Sequence, residues 1–170
     1  LNEQYEESIN DLTKVLSINT INLDALYYRA NSFINLKRTN EAIDDLSKLI
    51  EIKESNLSEL YNNRGNAYLE LEKYDLALSD FNKSIEIEPY CSSYIFNRAY
   101  LFQVTNKLKE AIADYDTVIE FDPDNYIAFT NRGEAHFELG NKEQAKDDFL
   151  KAKEMGYQEA IDNLNKFDLE

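Results

Sequence analysis

Arginine can grip a carboxylate through two parallel N–H donors, and this sequence repeats the residues for that chemistry at a near-constant interval. Arg29, Arg64, Arg98 and Arg132 are spaced by 35, 34 and 34 residues. Asp45, Asp80, Asp114 and Asp148 follow them in the same register, with Asp11 in the corresponding place near the start. A row of free arginines would suit an anionic partner. A row in which each arginine has its own aspartate at a fixed offset reads instead as a structural ion-pair ladder between helices. The remaining reactive residues are sparse. His136 is the only histidine, and it takes the slot held by Phe33, Tyr68 and Phe102 elsewhere, so we read it as a packed core residue. Cys91 is the only cysteine and falls in a turn beside Pro89. One thiol excludes an internal disulfide framework and a multi-thiolate metal site. No phosphate-cradling glycine loop, no Ser/His/Asp set and no metal-spaced His or Cys cluster is present. We therefore expect no catalytic residue, no metal and no cofactor.

The elements that position these residues are legible from periodicity. A second landmark, Ala42, Ala77, Ala111 and Ala145, runs in step with the arginines. A third, Leu46, Phe81, Tyr115 and Phe149, lies four residues further on, and Pro89 and Pro123 close two of the units. Within one unit, Leu60, Tyr61, Gly65, Tyr68 and Leu71 recur at helical spacing. After a short break, Tyr74, Ala77, Leu78, Phe81, Ile85 and Ile87 do the same. Period-two alternation, the mark of strands, is absent, and so short a break suits an antiparallel helix pair. Small residues at Ala30, Gly65, Ala99 and Gly133 would let the paired helix approach closely, with the large rings filling what remains.

The motif Tyr61-x2-Arg64-Gly65-x2-Tyr68, Ala77-x3-Phe81, Pro89 resembles the tetratricopeptide repeat (TPR). The other units read Leu26-x2-Arg29-Ala30-x2-Phe33 with Ala42-x3-Leu46, Ile95-x2-Arg98-Ala99-x2-Phe102 with Ala111-x3-Tyr115, and Phe129-x2-Arg132-Gly133-x2-His136 with Ala145-x3-Phe149. Two departures stand out: arginine replaces the usual leucine in every unit, and Leu57 is an extra residue between the first and second units. Tyr5, Ser8, Leu12, Val15 and Ile18 match only the second helix of a repeat. We expect a segment cut from a longer protein, with a half repeat at 1–22 and full repeats at 23–57, 58–91, 92–125 and 126–156. A capping helix follows at 157–170, with Ala160, Ile161 and Leu164 on one face. The resemblance implies one all-α domain, a right-handed superhelical solenoid of antiparallel helix pairs.

It also implies that the first helix of each unit lines a concave groove that holds a peptide or helix of another protein. In this register the groove residues are Tyr27, Tyr28 and Asn31, then Asn62, Asn63 and Asn66, then Phe96, Asn97 and Tyr100, then Thr130, Asn131 and Glu134. The column Asn63, Asn97 and Asn131 can donate to and accept from an extended backbone. Chaperone-binding relatives add lysine or arginine to form a carboxylate clamp. The corresponding places here hold Tyr27, Ser93 and Asn97, or Asn62, Ile127 and Asn131, so capture of an acidic tail is not expected. Glu59, Glu70, Glu134 and Glu138 lean the groove acidic. The net charge is −15, which opposes nucleic acid and anionic membrane surfaces and suits a neutral or basic polypeptide. No apolar run reaches the roughly 18 residues of a membrane span. We thus expect a protein–protein scaffold or adaptor in a cytoplasmic, reducing compartment. The alternatives are a co-chaperone-type adaptor, or a structural module that self-associates through the exposed apolar strip Leu12, Val15 and Ile18. A catalytic domain outside this segment would leave it as the docking part.

Overall fold

The computed structural model describes residues 2–168, without the side chains of residues 159 and 161. Ile161, expected on the apolar face of the last helix, therefore lies outside the described side chains, as do residues 169–170 of the expected cap. The described residues form helices and turns with no strand. The helices are α1 (Asn2–Ile18), α2 (Leu23–Asn35), α3 (Thr39–Ile52), α4 (Ser58–Glu70), α5 (Tyr74–Ile87), α6 (Ser92–Val104), α7 (Leu108–Phe121), α8 (Tyr126–Glu138), α9 (Lys142–Glu154) and α10 (Gln158–Lys166). Two compact units divide them, Leu1–Pro89 with α1 to α5 and Tyr90–Glu170 with α6 to α10. Within each unit every helix packs on the next in sequence.

One turn geometry reverses the chain inside each pair. Lys37, Glu72, Asn106 and Gly140 occupy the same register and all have positive φ, from 56° to 82°. Each left-handed residue ends a first helix, and the following amide then bonds back to a carbonyl in its last turn. Arg38 N donates to Phe33 O at 2.9 Å, Lys73 N to Tyr68 O at 2.9 Å, Lys107 N to Phe102 O at 2.8 Å, and Asn141 N to His136 O at 2.8 Å. This closes orphan carbonyls and sets the second helix antiparallel to the first. The extra residue Leu57 is absorbed in a looser turn, where Asn56 has φ of 56°. Leu57 folds half-buried against the core of Leu26, Leu46, Leu49 and Leu60.

The helices meet where the sequence places its small residues. Ala30, Ala42, Ala77, Ala99, Ala111 and Ala145 have no exposed surface. A Cβ built on Gly65 would stand 2.7 Å from Phe81 Cε1, and one on Gly133 would stand 2.8 Å from Phe149 Cε1. These two glycines exist for contact with the ring opposite.

The two ends differ. At the far end of the second unit, α10 covers α9: Ala160 and Leu164 are buried, and Phe167 stacks on Phe137 at 4.1 Å between centroids. At the start of the first unit, α1 buries Ile9 and Leu16 against α2 and its neighbours. Its other apolar face stays open, with Val15 40% and Ile18 89% exposed.

Candidate partner-binding faces

The arginine row is committed to the fold. Arg29 Nε and Nη2 each donate to Asp45 at 2.7 Å. Arg64 holds Asp80 at 2.7 and 2.9 Å, Arg98 holds Asp114 at 2.8 and 2.9 Å, and Arg132 holds Asp148 at 2.9 and 2.6 Å. The aspartate side chains are nearly buried. A third donor reaches back to the preceding second helix. Arg29 Nη1 bonds Thr13 Oγ1 at 3.0 Å, Arg64 Nη1 bonds Ser47 Oγ at 3.1 Å, and Arg132 Nη1 bonds Asp116 Oδ1 at 2.6 Å. The hydrogen bonds to Asp45 and Asp80 hold the Arg29 and Arg64 guanidinium pKa values above the ordinary arginine value. Burial opposes the charge of Arg132, but Asp148 and Asp116 outweigh it and its pKa also rises. Asp11 departs from this pattern: its side chain is 77% exposed and pairs with Lys14 at 2.9 Å.

In the first unit, α2 and α4 bring several expected groove residues to one surface. Tyr28 is 59% exposed, Asn66 is exposed, and Tyr27, Asn31 and Asn63 are half-buried. Asn63 and Asn66 line a groove of about 380 Å³ with Ile34, Lys37, Ala67, Leu69 and Glu70. Its acidic rim is partly occupied, because Glu70 accepts from Thr39 Oγ1 at 2.9 Å and pairs with Lys37 at 3.2 Å. Tyr27 Oη donates to Glu59 Oε1 at 2.6 Å. That bond, and then burial, raises the phenol pKa, so Tyr27 stays a donor.

In the second unit, Tyr100 is 44% exposed and Phe96 and Asn97 are half-buried on α6. On α8, Asn131 Nδ2 donates to Tyr115 Oη at 3.2 Å. Glu134 accepts from Gln103 Nε2 at 3.3 Å and from Asn163 Nδ2 at 3.1 Å. Tyr115 is fully buried and donates in turn to Gln103 Oε1 at 2.9 Å. Burial pushes its pKa well above the ordinary tyrosine value. Gln103, Tyr115 and Asn163 are not among the expected groove residues. The one signal was a hydroxyl at Tyr115, where the other units carry Leu46, Phe81 and Phe149.

Two expected groove residues need correction. Asn62 is 8% exposed and Thr130 2%, so both lie in the packing between helices. Thr130 Oγ1 donates to Tyr126 O at 2.9 Å within its own helix. In the same register the longer Tyr27 and Phe96 reach the surface, whereas these short side chains do not. His136 is also only half-buried, near the end of α8, with Nδ1 3.4 Å from Asn141 Nδ2. Cys91 is half-buried in the turn before α6. Among the described residues, no three His, Cys, Asp or Glu side chains are grouped to hold a metal ion, and no helix is long and apolar enough to cross a membrane.

Tetratricopeptide-repeat family models match residues 24–52, 58–91 and 126–155, and a TPR repeat model matches residues 105–140. The chain is a tetratricopeptide-repeat protein. No curated protein matches it. Solved TPR structures share its all-α solenoid fold at low identity. The crystal structure of MamA aligns with a TM-score of 0.85 and 20% identity, over 92% of this chain and 91% of MamA. YrrB, described as a TPR protein with an unusual peptide-binding site, aligns at 0.82 and 22%, over 96% of this chain and 84% of its own. The first TPR of Spaghetti (RPAP3), bound to an HSP90 peptide, aligns at 0.62 and 27%, over 65% of this chain and 90% of its own. The TPR repeats here thus place an internal ladder at the arginine positions, while the asparagines of the first helices range from exposed Asn66 through half-buried Asn31, Asn63, Asn97 and Asn131 to buried Asn62.

Proposed function

We propose that this TPR protein is a non-catalytic interaction module in the cytoplasm whose first-helix faces hold a neutral or basic peptide segment of a partner protein. The observation that carries this reading is the groove in the first unit, where the amides of Asn63 and Asn66 stand beside the apolar Ile34, Ala67 and Leu69. Amides that can both donate and accept suit an extended backbone, and apolar neighbours suit its side chains. Charge selects among peptides. The chain carries 33 acidic against 18 basic residues, and Glu59 and Glu70 flank this face. The places where a clamp would need lysine or arginine hold Tyr27 and Asn62 in this unit. YrrB and the Spaghetti repeat support a peptide as the class of ligand. The absence of lysine and arginine at the clamp places, with Lys37 of the groove already paired to Glu70 at 3.2 Å, argues against an acidic peptide such as the one the latter is bound to.

The test is fluorescence anisotropy with three labelled peptides of one backbone length: the acidic HSP90-type peptide, its neutral amide version and a basic version. The neutral or basic peptide should bind more tightly. An Asn63→Ala, Asn66→Ala double variant with unchanged melting temperature should bind at least about tenfold more weakly. Tightest binding of the acidic peptide, or equal affinity in the double variant, overturns the reading.

A further inference from the structure

Glu134 is held differently from the acidic residues of the first unit's face. Glu70 pairs with Lys37, and Glu59 accepts from the Tyr27 phenol. Glu134 is half-buried, and both of its oxygens accept from neutral amides. Gln103 Nε2 of α6 donates to Oε2 at 3.3 Å, and Asn163 Nδ2 of α10 donates to Oε1 at 3.1 Å. Among the described residues no lysine or arginine pairs with it. Two amides orient a carboxylate without cancelling its charge.

The donors are themselves fixed. Gln103 Oε1 accepts from Tyr115 Oη at 2.9 Å, and Tyr115 Oη accepts from Asn131 Nδ2 at 3.2 Å. Tyr115 is fully buried and Asn163 is only 4% exposed, so neither swings away. The Gln103 amide must then turn its NH2 toward Glu134. Side chains from α6, α7, α8 and α10 thus hold one carboxylate in place before any ligand arrives, which lowers the ordering cost of binding. The neighbours of α8 on both sides are present, α6 through Gln103 and α10 through Asn163, and Glu134 still keeps an open side.

The surroundings suit a guanidinium. Each carboxylate oxygen has two acceptor sites, and one amide on each leaves one site on each, the pattern a bidentate fork fills. Phe96, Tyr100 and Gln103 follow one another at four and three residues along α6 and so share its face. Tyr100 is 44% exposed, an aromatic ring on the face that carries the Glu134 donor. Guanidinium groups stack on such rings and are weakly hydrated, so they leave water at lower cost than an ammonium.

We propose that Glu134, held by Gln103 and Asn163 and flanked by Tyr100, is a receptor for an arginine side chain of the bound partner. The proposal rests on the reading that first-helix faces hold a peptide, and it names the residue type that the second unit selects.

The minimal probe is N-acetyl-arginine amide, with N-acetyl-citrulline amide as its uncharged twin, titrated into the nitrogen-labelled chain. The side-chain amide resonances of Gln103 and Asn163 should shift saturably with the first probe and not with the second. Glu134→Gln should abolish that response. Glu120→Gln, which removes an equal charge from an exposed place on α7, should leave it intact. Tyr100→Leu, at an exposed position, should weaken it about threefold. In anisotropy, a peptide bearing arginine should bind the parent about tenfold more tightly than its citrulline version, and Glu134→Gln should bring the ratio to one. The Asn63→Ala, Asn66→Ala variant should lower both affinities and keep the ratio. If that variant binds like the parent while the Glu134 response holds, the first unit's groove falls and this receptor stands. Circular dichroism melting reports folding, and should Glu134→Gln fail to fold, Tyr100→Leu and the citrulline probe carry the test. Absence of a saturable shift, equal response to the two probes, or an arginine response that survives in folded Glu134→Gln overturns the proposal.

Discussion

Each of the four arginines spends its fork on an aspartate and so has little left for a ligand. Arg64 shows the consequence most cleanly, since Asp80 and Ser47 both lie in its own unit. Arg64→Ala should cost roughly 3–5 kcal/mol in urea denaturation, because it strands a carboxylate that is only 6% exposed. Replacing the pair together by apolar residues of similar size should recover most of that loss, which separates the penalty of an orphaned charge from the worth of the pair. Tyr115 carries the clearest pH dependence. Burial raises its pKa, so its contribution is complete below the unfolded tyrosine pKa of about 10 and is lost as pH rises beyond it. Tyr115→Phe removes the bonds to Gln103 and Asn131 and should cost about 1 kcal/mol near neutrality. Above about pH 10 the gap between parent and variant should narrow, measured as denaturation midpoints across pH. A gap that stays constant there would show that the phenol ionises as freely in the folded state as in the unfolded chain, and one that widens would show that the fold favours the phenolate. The ladder was legible at this scale because both partners repeat. The network around Tyr115 occurs once, and single occurrences leave no period to detect.

Helices pack here by matching a small residue to a ring, and the match is tight enough to reverse an ordinary propensity rule. Gly to Ala inside a helix normally stabilises by about 1 kcal/mol. Gly65→Ala should instead destabilise by roughly 1–3 kcal/mol, since the new methyl would stand 2.7 Å from the fully buried Phe81 ring. Thermal melting of this one variant decides between the two effects, and a raised midpoint would mean the ring can yield. Amphipathic spacing located both helices of a pair, and the alanine and glycine landmarks located their contact. Spacing could not say how far a given side chain reaches. Asn62 and Thr130 share a register with Tyr27 and Phe96, yet only the longer pair comes to the surface. On α1, Ile9 and Leu16 are buried against the rest of the unit, and Leu12 packs partly buried against the same core. Of the strip Leu12, Val15 and Ile18, only Val15 and Ile18 stay exposed.

A chain with net charge −15 repels itself when folded, except where charges are locally paired. The buried ladder is poorly screened, whereas the excess carboxylates lie mostly at the surface. Raising ionic strength from about 0.01 to about 0.15 M shortens the screening length from about 30 to about 8 Å. It should therefore raise the melting temperature, and a fall would mean that exposed ion pairs outweigh the repulsion. Repeat spacing, residue volume and charge sign are properties of the linear chain, so the sequence alone was enough for the all-α TPR class, the helix pairs, the small-residue contacts and the ion-pair ladder. Folding alone decided which asparagines stay accessible and where Glu134 and Asn131 are tied. Those outcomes depend on which neighbouring helix covers a given face and on side-chain reach, and neither is written in any one repeat.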